Sequence, residues 1–260
     1  MLSLRGVSYR YPGAALDSLH DVSLELPGGT ITGLLGAPES GLSTVCMVLG
    51  GLAPRVIGGT LRGESSIDGQ DVRGWPMHRL CESVVLGLGQ PAGQLSMVAA
   101  TVYEEVAFGP ANLGLSRSEV MARTEQALEQ LAIHDLASRD PGRLSGGQQQ
   151  LVALAGLLAM RARHLILDEP VAALDAHGRT LALAALAAAA AGGAAVLVAT
   201  QHSDLVASIC SSVALLTGGR VMRQGPPGEV LADPATWALG IAEPAEQRLA
   251  RLLGDIGDGR

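Results

Sequence analysis

A glycine-rich segment of the chain has the residue types and spacing of a phosphate-binding loop. It reads GAPESGLST over residues 36–44, which matches G-x-x-x-x-G-K-[ST] except that Leu42 stands where lysine is expected. In such a loop, backbone N–H groups and the following helix N-terminus hold phosphate oxygens, and Ser43 would bind Mg²⁺. An ordinary glycine turn is the alternative.

Two acidic residues and a histidine follow later strands. Asp168 and Glu169 end the apolar run HLIL, and His202 comes just after AVLVAT. Adjacent carboxylates suit a metal-linked aspartate beside a glutamate that orients water. Taken singly, the acids could be surface charge and the histidine could be structural.

The segment LSGGQ at residues 144–148 opens a predicted helix, and Asp175 follows the acidic pair by six positions. Alone, LSGGQ could be no more than a helix cap. Together these features form a highly specific constellation, because they occur in a fixed order and at fixed separations: the glycine loop, LSGGQ, the acidic pair, Asp175 and the histidine.

The elements around these residues alternate between strand and helix. Apolar patterns predict strands at 2–9, 22–26, 30–35, 59–67, 84–88, 164–167, 195–200 and 213–216, and helices at 43–50, 116–136 and 148–160. Such alternation predicts an α/β fold with a largely parallel sheet, an antiparallel part near the N-terminus, and a helical subdomain inserted at about 90–155. Ser116, three residues before Glu119, places the start of one helix as a capping box.

One stretch has the length of a membrane span. Residues 181–200 contain no charge, but they are mostly alanine and Gly192-Gly193 interrupts them. The stretch therefore predicts a helix to about Ala191, a turn and a strand.

Composition argues against two classes of function. The 18 basic residues are all arginine, and the formal net charge is −7, so a nucleic-acid partner bound through a basic face is not expected. The three cysteines form no CxxC pair, which argues against a zinc site or a disulfide framework.

With these motifs in place, the chain resembles the ATP-binding subunits of ABC transporters over about residues 2–235. Within that family it is most similar to energy-coupling-factor and cobalt-type importers, on the strings VYEEVAFGP, NLGL and ALAGLLAM. The resemblance implies a P-loop NTPase core over 1–240 and a C-terminal tail over 241–260, which we expect to be loosely attached. It also implies ATP and Mg²⁺ as cofactors, and a dimer on the cytoplasmic face of the cell membrane beneath integral membrane transport subunits.

The resemblance assigns roles residue by residue. Tyr11 would stack on adenine, with an exposed loop tyrosine as the alternative. Glu169 would be the base or polarise water, and His202 would contact the γ-phosphate. The residues that bind the phosphates would be Gly36, Ser40, Gly41, Leu42, Ser43 and Thr44, and the residues that hold the metal would be Ser43, Asp168 and Gln90. The signature that contacts nucleotide on the opposite subunit would be Ser145, Gly146, Gly147 and Gln148. Asp175 would bridge the two sites of the dimer.

Three departures from the family pattern bear on this pocket. Leu42 cannot donate to phosphate, and no lysine exists elsewhere in the chain to replace it. Glu39 places a carboxylate where the family usually has glycine. The family's Q-x-P-x-x-Q-L segment is one residue short around Gln90, so that an alignment without a gap puts Gly89 at the ligand position.

Two functions follow from these observations. In the first, the chain pairs with a different, intact nucleotide-binding subunit and the complex hydrolyses ATP to drive import; a homodimer with two altered sites is the alternative pairing. In the second, the chain is a non-hydrolysing half that completes a partner's site. In either case the segment of about 90–110 would meet the membrane subunit, with Tyr103 and Phe108 either in that contact or in the core.

Overall fold

The structure, a computed structural model, describes residues 1–90 and 93–257. Its strands are β1 (Leu2–Arg10), β2 (Leu19–Leu26), β3 (Ile31–Gly36), β4 (Thr60–Ile67), β5 (Gln70–Asp71), β6 (Val84–Gly87), β7 (His164–Asp168), β8 (Ala195–Thr200), β9 (Ser212–Thr217) and β10 (Arg220–Gly225). Its helices are α1 (Leu42–Leu49), α2 (Met77–Cys81), α3 (Val102–Asn112), α4 (Arg117–Gln130), α5 (Gly146–Ala159), α6 (Ala176–Ala191), α7 (Ser203–Ile209), α8 (Pro227–Ala232), α9 (Pro234–Trp237) and α10 (Ala245–Gly257).

The larger sheet has the order β10-β9-β3-β8-β7-β6. Its pairs are parallel from β9 to β6, and only β10 runs antiparallel to its neighbour β9. Every residue of β3 and β8 is buried, as expected for central parallel strands covered on both faces. The predicted α/β fold with a mostly parallel sheet is confirmed.

The smaller sheet is antiparallel and has the order β2-β1-β4-β5. In β2 every second residue from Val22 to Leu26 is buried, which is the alternation of a sheet with one face on the core. Helix α1 packs into the core that this face shares with β8. The predicted antiparallel part near the N-terminus is therefore present, and it covers one side of α1.

Helices α3, α4 and α5 pack on one another and supply much of the second core cluster. Ser116 caps α4 as predicted, since its hydroxyl accepts from the Glu119 N–H. The predicted capping box is not completed, because the Glu119 carboxylate accepts from Arg123 at 2.7 Å. The predicted end of this helix at residue 136 was wrong. Helix α4 stops at Gln130, and His134–Leu136 forms a separate 3₁₀ turn.

A Schellman motif explains the earlier end of α4. Ala132 adopts φ +51°, its N–H donates to the Glu129 carbonyl, and the Ile133 N–H returns to the Leu128 carbonyl, both at 3.0 Å. Ile133 and Leu128 are both buried in the same cluster, which is the hydrophobic contact that accompanies this motif. Glycine usually marks this position, so alanine there hid the stop from the sequence pattern.

The charge-free window behaves as predicted. Helix α6 ends at Ala191, two glycines follow, and β8 begins at Ala195. Among the residues that the structure describes, no helix combines the length and apolar character needed to cross a membrane.

The C-terminal segment is attached to the body of the protein, contrary to the expectation of a loose tail. Ile241 is 4% exposed in a small apolar cluster with Leu35, and a Cβ added at Gly240 would lie 3.6 Å from the Cβ of Ala37. The Ala245 N–H at the start of α10 donates to the Asp204 carboxylate at 2.7 Å. The division at residue 240 stays a prediction, and positions 258–260 of that tail lie outside the described residues.

The buried His164 makes stability depend on pH. It is 2% exposed, its Nδ1 lies 3.0 Å from the Ser83 carbonyl, and burial lowers the pKa of its imidazole. In the unfolded chain the His164 imidazole is protonated near pH 6.5, whereas in the folded chain it is protonated only at lower pH. The free energy of unfolding therefore falls as pH drops below about 6.5.

We expect His164→Gln to remove this part of the pH dependence. Urea unfolding at about pH 7.5 and about pH 5.5 measures it, because carboxylate contributions lie mostly at lower pH. His177→Gln is the matched control, since His177 is an exposed histidine. An unchanged stability difference between the two pH values in His164→Gln would contradict the assignment.

Candidate functional site

The glycine-rich loop joins the carboxyl end of β3 to the first turn of α1. Gly36 is required there because an added Cβ would lie 2.3 Å from Ser40 Oγ. Gly41 adopts φ +106°, a conformation that side chains with a Cβ rarely enter. The loop is fixed from outside by the Gly219 N–H, which donates to the Ser40 carbonyl at 2.9 Å.

The loop offers donors at the start of α1. Ser40 is 5% exposed, and its Oγ has no hydrogen-bond partner among the described residues. No side chain of the described residues caps the helix, so that its first N–H groups are free of side-chain acceptors. Free N–H groups at a helix N-terminus and an unsatisfied hydroxyl suit an anionic oxygen ligand.

Leu42 and Glu39 are the two residues of this loop that do not suit an anion. Leu42 is 7% exposed and belongs to the apolar core with Leu19 and Val45. Glu39 is exposed and keeps φ +63°, a left-handed conformation that costs a non-glycine residue roughly 1–2 kcal/mol. The backbone therefore has the shape that glycine would give, while the carboxylate faces solvent.

Asp168 and Ser43 meet at the edge of the sheet. Burial raises the pKa of Asp168, a hydrogen bond from the Ser43 side chain lowers it, and the neighbouring Glu169 charge raises it. A hydroxyl and a half-buried carboxylate in contact are the kind of oxygen ligands that Mg²⁺ takes, with water filling its other positions. The described residues contain no group of three or more His, Cys, Asp or Glu that could hold a metal.

Glu169 is held against the end of β8. Its Oε2 accepts from the Thr200 hydroxyl at 2.9 Å, and its Oε1 accepts from the Gln201 N–H at 2.8 Å. Its backbone N–H donates to the Ala199 carbonyl at 2.8 Å. The residue adopts φ +47°, and backbone strain of this kind is often found at functional sites.

His202 is exposed and immediately precedes α7. Its N–H donates to Thr200 Oγ1 at 3.2 Å. The sequence did not single out Thr200, which is fully buried and joins Glu169 to His202 through one hydroxyl. Its position two residues before the histidine was the only available signal.

The predicted metal ligand Gln90 is exposed, whereas Gly89 lies beside the carboxylate of Asp168, where an added Cβ would be 3.8 Å from Oδ2. Gln94 is engaged elsewhere, because its amide bonds the Leu88 N–H at 2.9 Å and the Leu86 carbonyl at 3.2 Å. Pro91 and Ala92 of this segment lie outside the described residues. The placement of Gly89 agrees with the alignment that has no gap.

Tyr11 reaches the phosphate loop rather than standing free in solvent. Its hydroxyl lies 3.1 Å from Thr44 Oγ1, and its ring packs edge-on against Tyr9 at 4.9 Å between centroids. The tyrosine is thus positioned beside α1, and stacking on adenine stays a prediction.

The LSGGQ segment starts α5 with a capping box. The Ser145 hydroxyl accepts from the Gln148 N–H at 3.3 Å, and the Gln148 side chain accepts from the Ser145 N–H at 3.1 Å. Ser145 and Gly146 are exposed, and a Cβ at Gly146 would meet open space. The helix-cap explanation is therefore correct as local structure and leaves these two residues accessible.

Gly147 and Asp175 are tied to the segment that follows the acidic pair. A Cβ at Gly147 would lie 3.0 Å from the Ala173 carbonyl oxygen. Asp175 caps α6, since its Oδ1 accepts from the Gly178 N–H at 2.7 Å. This cap was not anticipated from the sequence, although aspartate is one of the residues preferred at the N-cap position.

The geometry brings Ser43, Asp168, Glu169 and His202 to one edge of the parallel sheet, with Tyr11 beside the first turn of α1. The contacts that link them are those through Thr44, Thr200 and the Ser43–Asp168 hydrogen bond. The sheet edge holds one group of predicted residues, and the LSGGQ residues Ser145 and Gly146 form a separate exposed surface at the start of α5.

Comparison with known proteins identifies the family of the chain. The ABC transporter family model matches residues 19–172. The chain is 39% identical to a cobalt import ATP-binding protein of Rhodobacter capsulatus over 94% of its own length and 85% of the relative's. It is 34% identical to an energy-coupling factor transporter ATP-binding protein of Lactiplantibacillus plantarum, over 97% and 89% of the two chains.

A solved structure agrees with these relatives. The chain superposes on cbiO1 from Clostridium perfringens, described as part of the ABC transporter complex cbiONQ, with a TM-score of 0.77 and 29% identity, covering 96% of this chain and 98% of that one. The similarity therefore extends through the whole nucleotide-binding fold and includes both sheets and the helical group. The chain belongs to the family of ABC transporter ATP-binding proteins.

Proposed function

We propose that this chain is the ATP-binding subunit of an energy-coupling-factor-like or cobalt-type importer, and that it works as half of a dimer beneath membrane subunits. The observation that carries the proposal is the convergence of the loop, the acidic pair and the histidine on one sheet edge, with LSGGQ exposed elsewhere. The named relatives support the subgroup. The protein would then sit peripherally on the cytoplasmic face of the cell membrane.

In this proposal the loop residues Gly36, Ser40, Gly41 and Thr44 bind the phosphates of ATP through backbone N–H groups and hydroxyls. Ser43 and Asp168 hold the Mg²⁺ that neutralises phosphate charge. Gln90 remains a candidate ligand only if the segment rearranges, because Gly89 faces Asp168 in this structure.

Glu169 and His202 would act on the attacking water and the γ-phosphate. The Glu169 carboxylate would accept the proton of the attacking water, and two hydrogen bonds fix its orientation. His202 is exposed two residues after the end of β8, and in this proposal its side chain contacts the γ-phosphate.

The altered loop makes this chain's own pocket the weak one. Leu42 supplies no charge, and the Glu39 carboxylate adds an anion at the loop. We propose a partner subunit with an intact lysine, whose ATP would be closed over by Ser145, Gly146, Gly147 and Gln148 of this chain, while Asp175 bridges the two sites. A non-hydrolysing half is the second candidate, favoured by the burial of Leu42 in the core.

The membrane subunit would dock in a groove of about 490 Å³ that lies between the segment after α1, α2 and β6 on one side and helices α3 and α5 on the other. Phe108 lines it and is 44% exposed. Met97 and Val98, in the segment before α3, are 70% and 75% exposed. Tyr103, in contrast, packs against the core cluster. We therefore propose that Phe108 contacts the membrane subunit and that Tyr103 serves core packing.

The first prediction concerns the missing charge. Leu42→Lys should raise the affinity for Mg-ATP by tens- to thousands-fold, since one partner of a buried charge pair is worth roughly 2–5 kcal/mol. Isothermal titration of the isolated chain measures it. Leu42→Met is the matched control because it keeps an apolar side chain of similar volume in the core. Equal affinity in Leu42→Lys and Leu42→Met would show that another feature limits the pocket.

The second prediction concerns docking. Val98→Asp and Phe108→Asp should reduce co-purification with the membrane subunits several-fold, because burying an unpaired charge costs on the order of several kcal/mol. Met121→Asp is the control, since Met121 is 46% exposed on α4 and belongs neither to the groove nor to the segment before α3. Normal assembly of both Val98→Asp and Phe108→Asp would contradict docking at this surface.

The third prediction separates the two composite pockets. Ser145→Arg or Gly147→Asp should abolish most turnover by the complex, because preorganised donors at a helix N-terminus matter most where charge develops. Glu169→Gln should cost little, because the pocket that it serves contributes little. Steady-state ATPase activity of the reconstituted complex measures both effects.

Gly146→Asp is the cleanest form of this test. Its side chain meets open space, unlike that of Gly147, and an acid in the first turn favours the helix. It should therefore fold normally and still repel phosphate. In a homodimer both pockets are identical, so that a signature variant and a Glu169 variant should lower ATP turnover to a similar extent. If Glu169→Gln proved as damaging as Gly146→Asp, this chain's own pocket would hydrolyse ATP without its lysine.

A further inference from the structure

A single buried hydroxyl lies between two proposed site residues. Thr200 ends β8 and is 0% exposed. Its Oγ1 donates to Glu169 Oε2 at 2.9 Å and accepts from the His202 N–H at 3.2 Å. A threonine hydroxyl has one donor and two acceptor sites, so that one atom links both residues at once.

Two further hydrogen bonds at the carboxyl end of β8 fix Glu169. The Gln201 N–H donates to Oε1 at 2.8 Å, and the Glu169 N–H donates to the Ala199 carbonyl at 2.8 Å. An ionised carboxylate has about four lone-pair sites, and two are occupied here. The remaining two leave Glu169 able to accept from a water molecule while its direction stays fixed.

We propose that Thr200 is a positioning residue, which aligns the Glu169 carboxylate and the His202 backbone as one unit. The inference rests on the roles proposed for Glu169 and His202. Thr200 acts through these two residues and makes no contact with nucleotide itself. Its hydroxyl sets where the proton acceptor points and where α7 begins.

Two substitutions separate the hydroxyl from the shape of the side chain. Thr200→Val keeps the β-branched volume that suits a buried strand and removes both hydrogen bonds. Thr200→Ser keeps the hydroxyl and loses one methyl group. Thr32→Val is the matched control: Thr32 is 3% exposed on the neighbouring strand β3, and its Oγ1 accepts from the Ser212 hydroxyl at 3.2 Å.

The first measurement is residue-resolved amide hydrogen exchange of the full chain. In Thr200→Val the His202 amide loses its acceptor and should exchange at least several-fold faster, and the Gln201 amide should follow because Glu169 is released. Thr200→Ser should resemble the parent, and Thr32→Val should change neither amide. Parental exchange at both amides in Thr200→Val would overturn the proposal.

The second measurement is ATP turnover in the Leu42→Lys background, where the pocket regains its charge. Adding Thr200→Val should lower kcat about ten- to a hundred-fold while KM changes less than about two-fold, because a displaced proton acceptor affects the chemical step rather than binding. Thr200→Ser should restore most of the rate. An equal loss in Thr32→Val, or an unchanged kcat in Thr200→Val, would overturn the proposal.

The two measurements distinguish the inference from the proposed function. A Leu42→Lys parent without any turnover contradicts catalysis at this pocket. The exchange result alone then decides whether Thr200 positions Glu169 and His202. Turnover in that parent together with unchanged exchange in Thr200→Val contradicts the Thr200 inference alone.

Discussion

The parallel alignment of β3, β8 and β7 is the constraint on which the site depends. Each strand ends at the same edge, with Leu35 opposite Thr200 and Asp168 opposite Ala199 in register. The residues that follow these strands are therefore close in space although they are far apart in sequence. A shift of one position in either pair would move Asp168 away from Ser43 and turn buried side chains toward the other face.

Local backbone conformations complete what the strands begin. Glu39 and Glu169 both adopt a left-handed conformation, which side chains with a Cβ enter at a cost. In each case surrounding contacts hold the residue there: the Ala37–Ser40 turn encloses Glu39, and β8 binds Glu169 on both carboxylate oxygens.

The five parallel strands and the order of the motifs could be predicted from the sequence, because buried parallel strands are continuous apolar runs and each motif has a fixed spacing. Strand β10 was missed, because its residues are mostly exposed and form no apolar run. Helix α3 could have been predicted, since Thr101 and Glu104 form a capping box of the type predicted at Ser116. The end of α4 could not, because alanine occupies its left-handed position. The roles of Thr200 and Gly89 depend on contacts across the sheet, which no local pattern contains.

The hydrogen bonds around the acids offer a physical reason why Asp168 and Glu169 persist beside an altered phosphate loop. Glu169 accepts from the Thr200 hydroxyl and the Gln201 N–H. The Thr200 hydroxyl is buried, and leaving it without this acceptor would cost roughly 1–3 kcal/mol. Asp168 likewise accepts from Ser43. The side chain of Leu42 contributes to packing instead. Loss of the lysine removes a contact to phosphate alone, whereas loss of either acid would also disturb the edge of the sheet. The hydrogen bonds of Glu169 therefore serve the fold whether or not this pocket hydrolyses ATP.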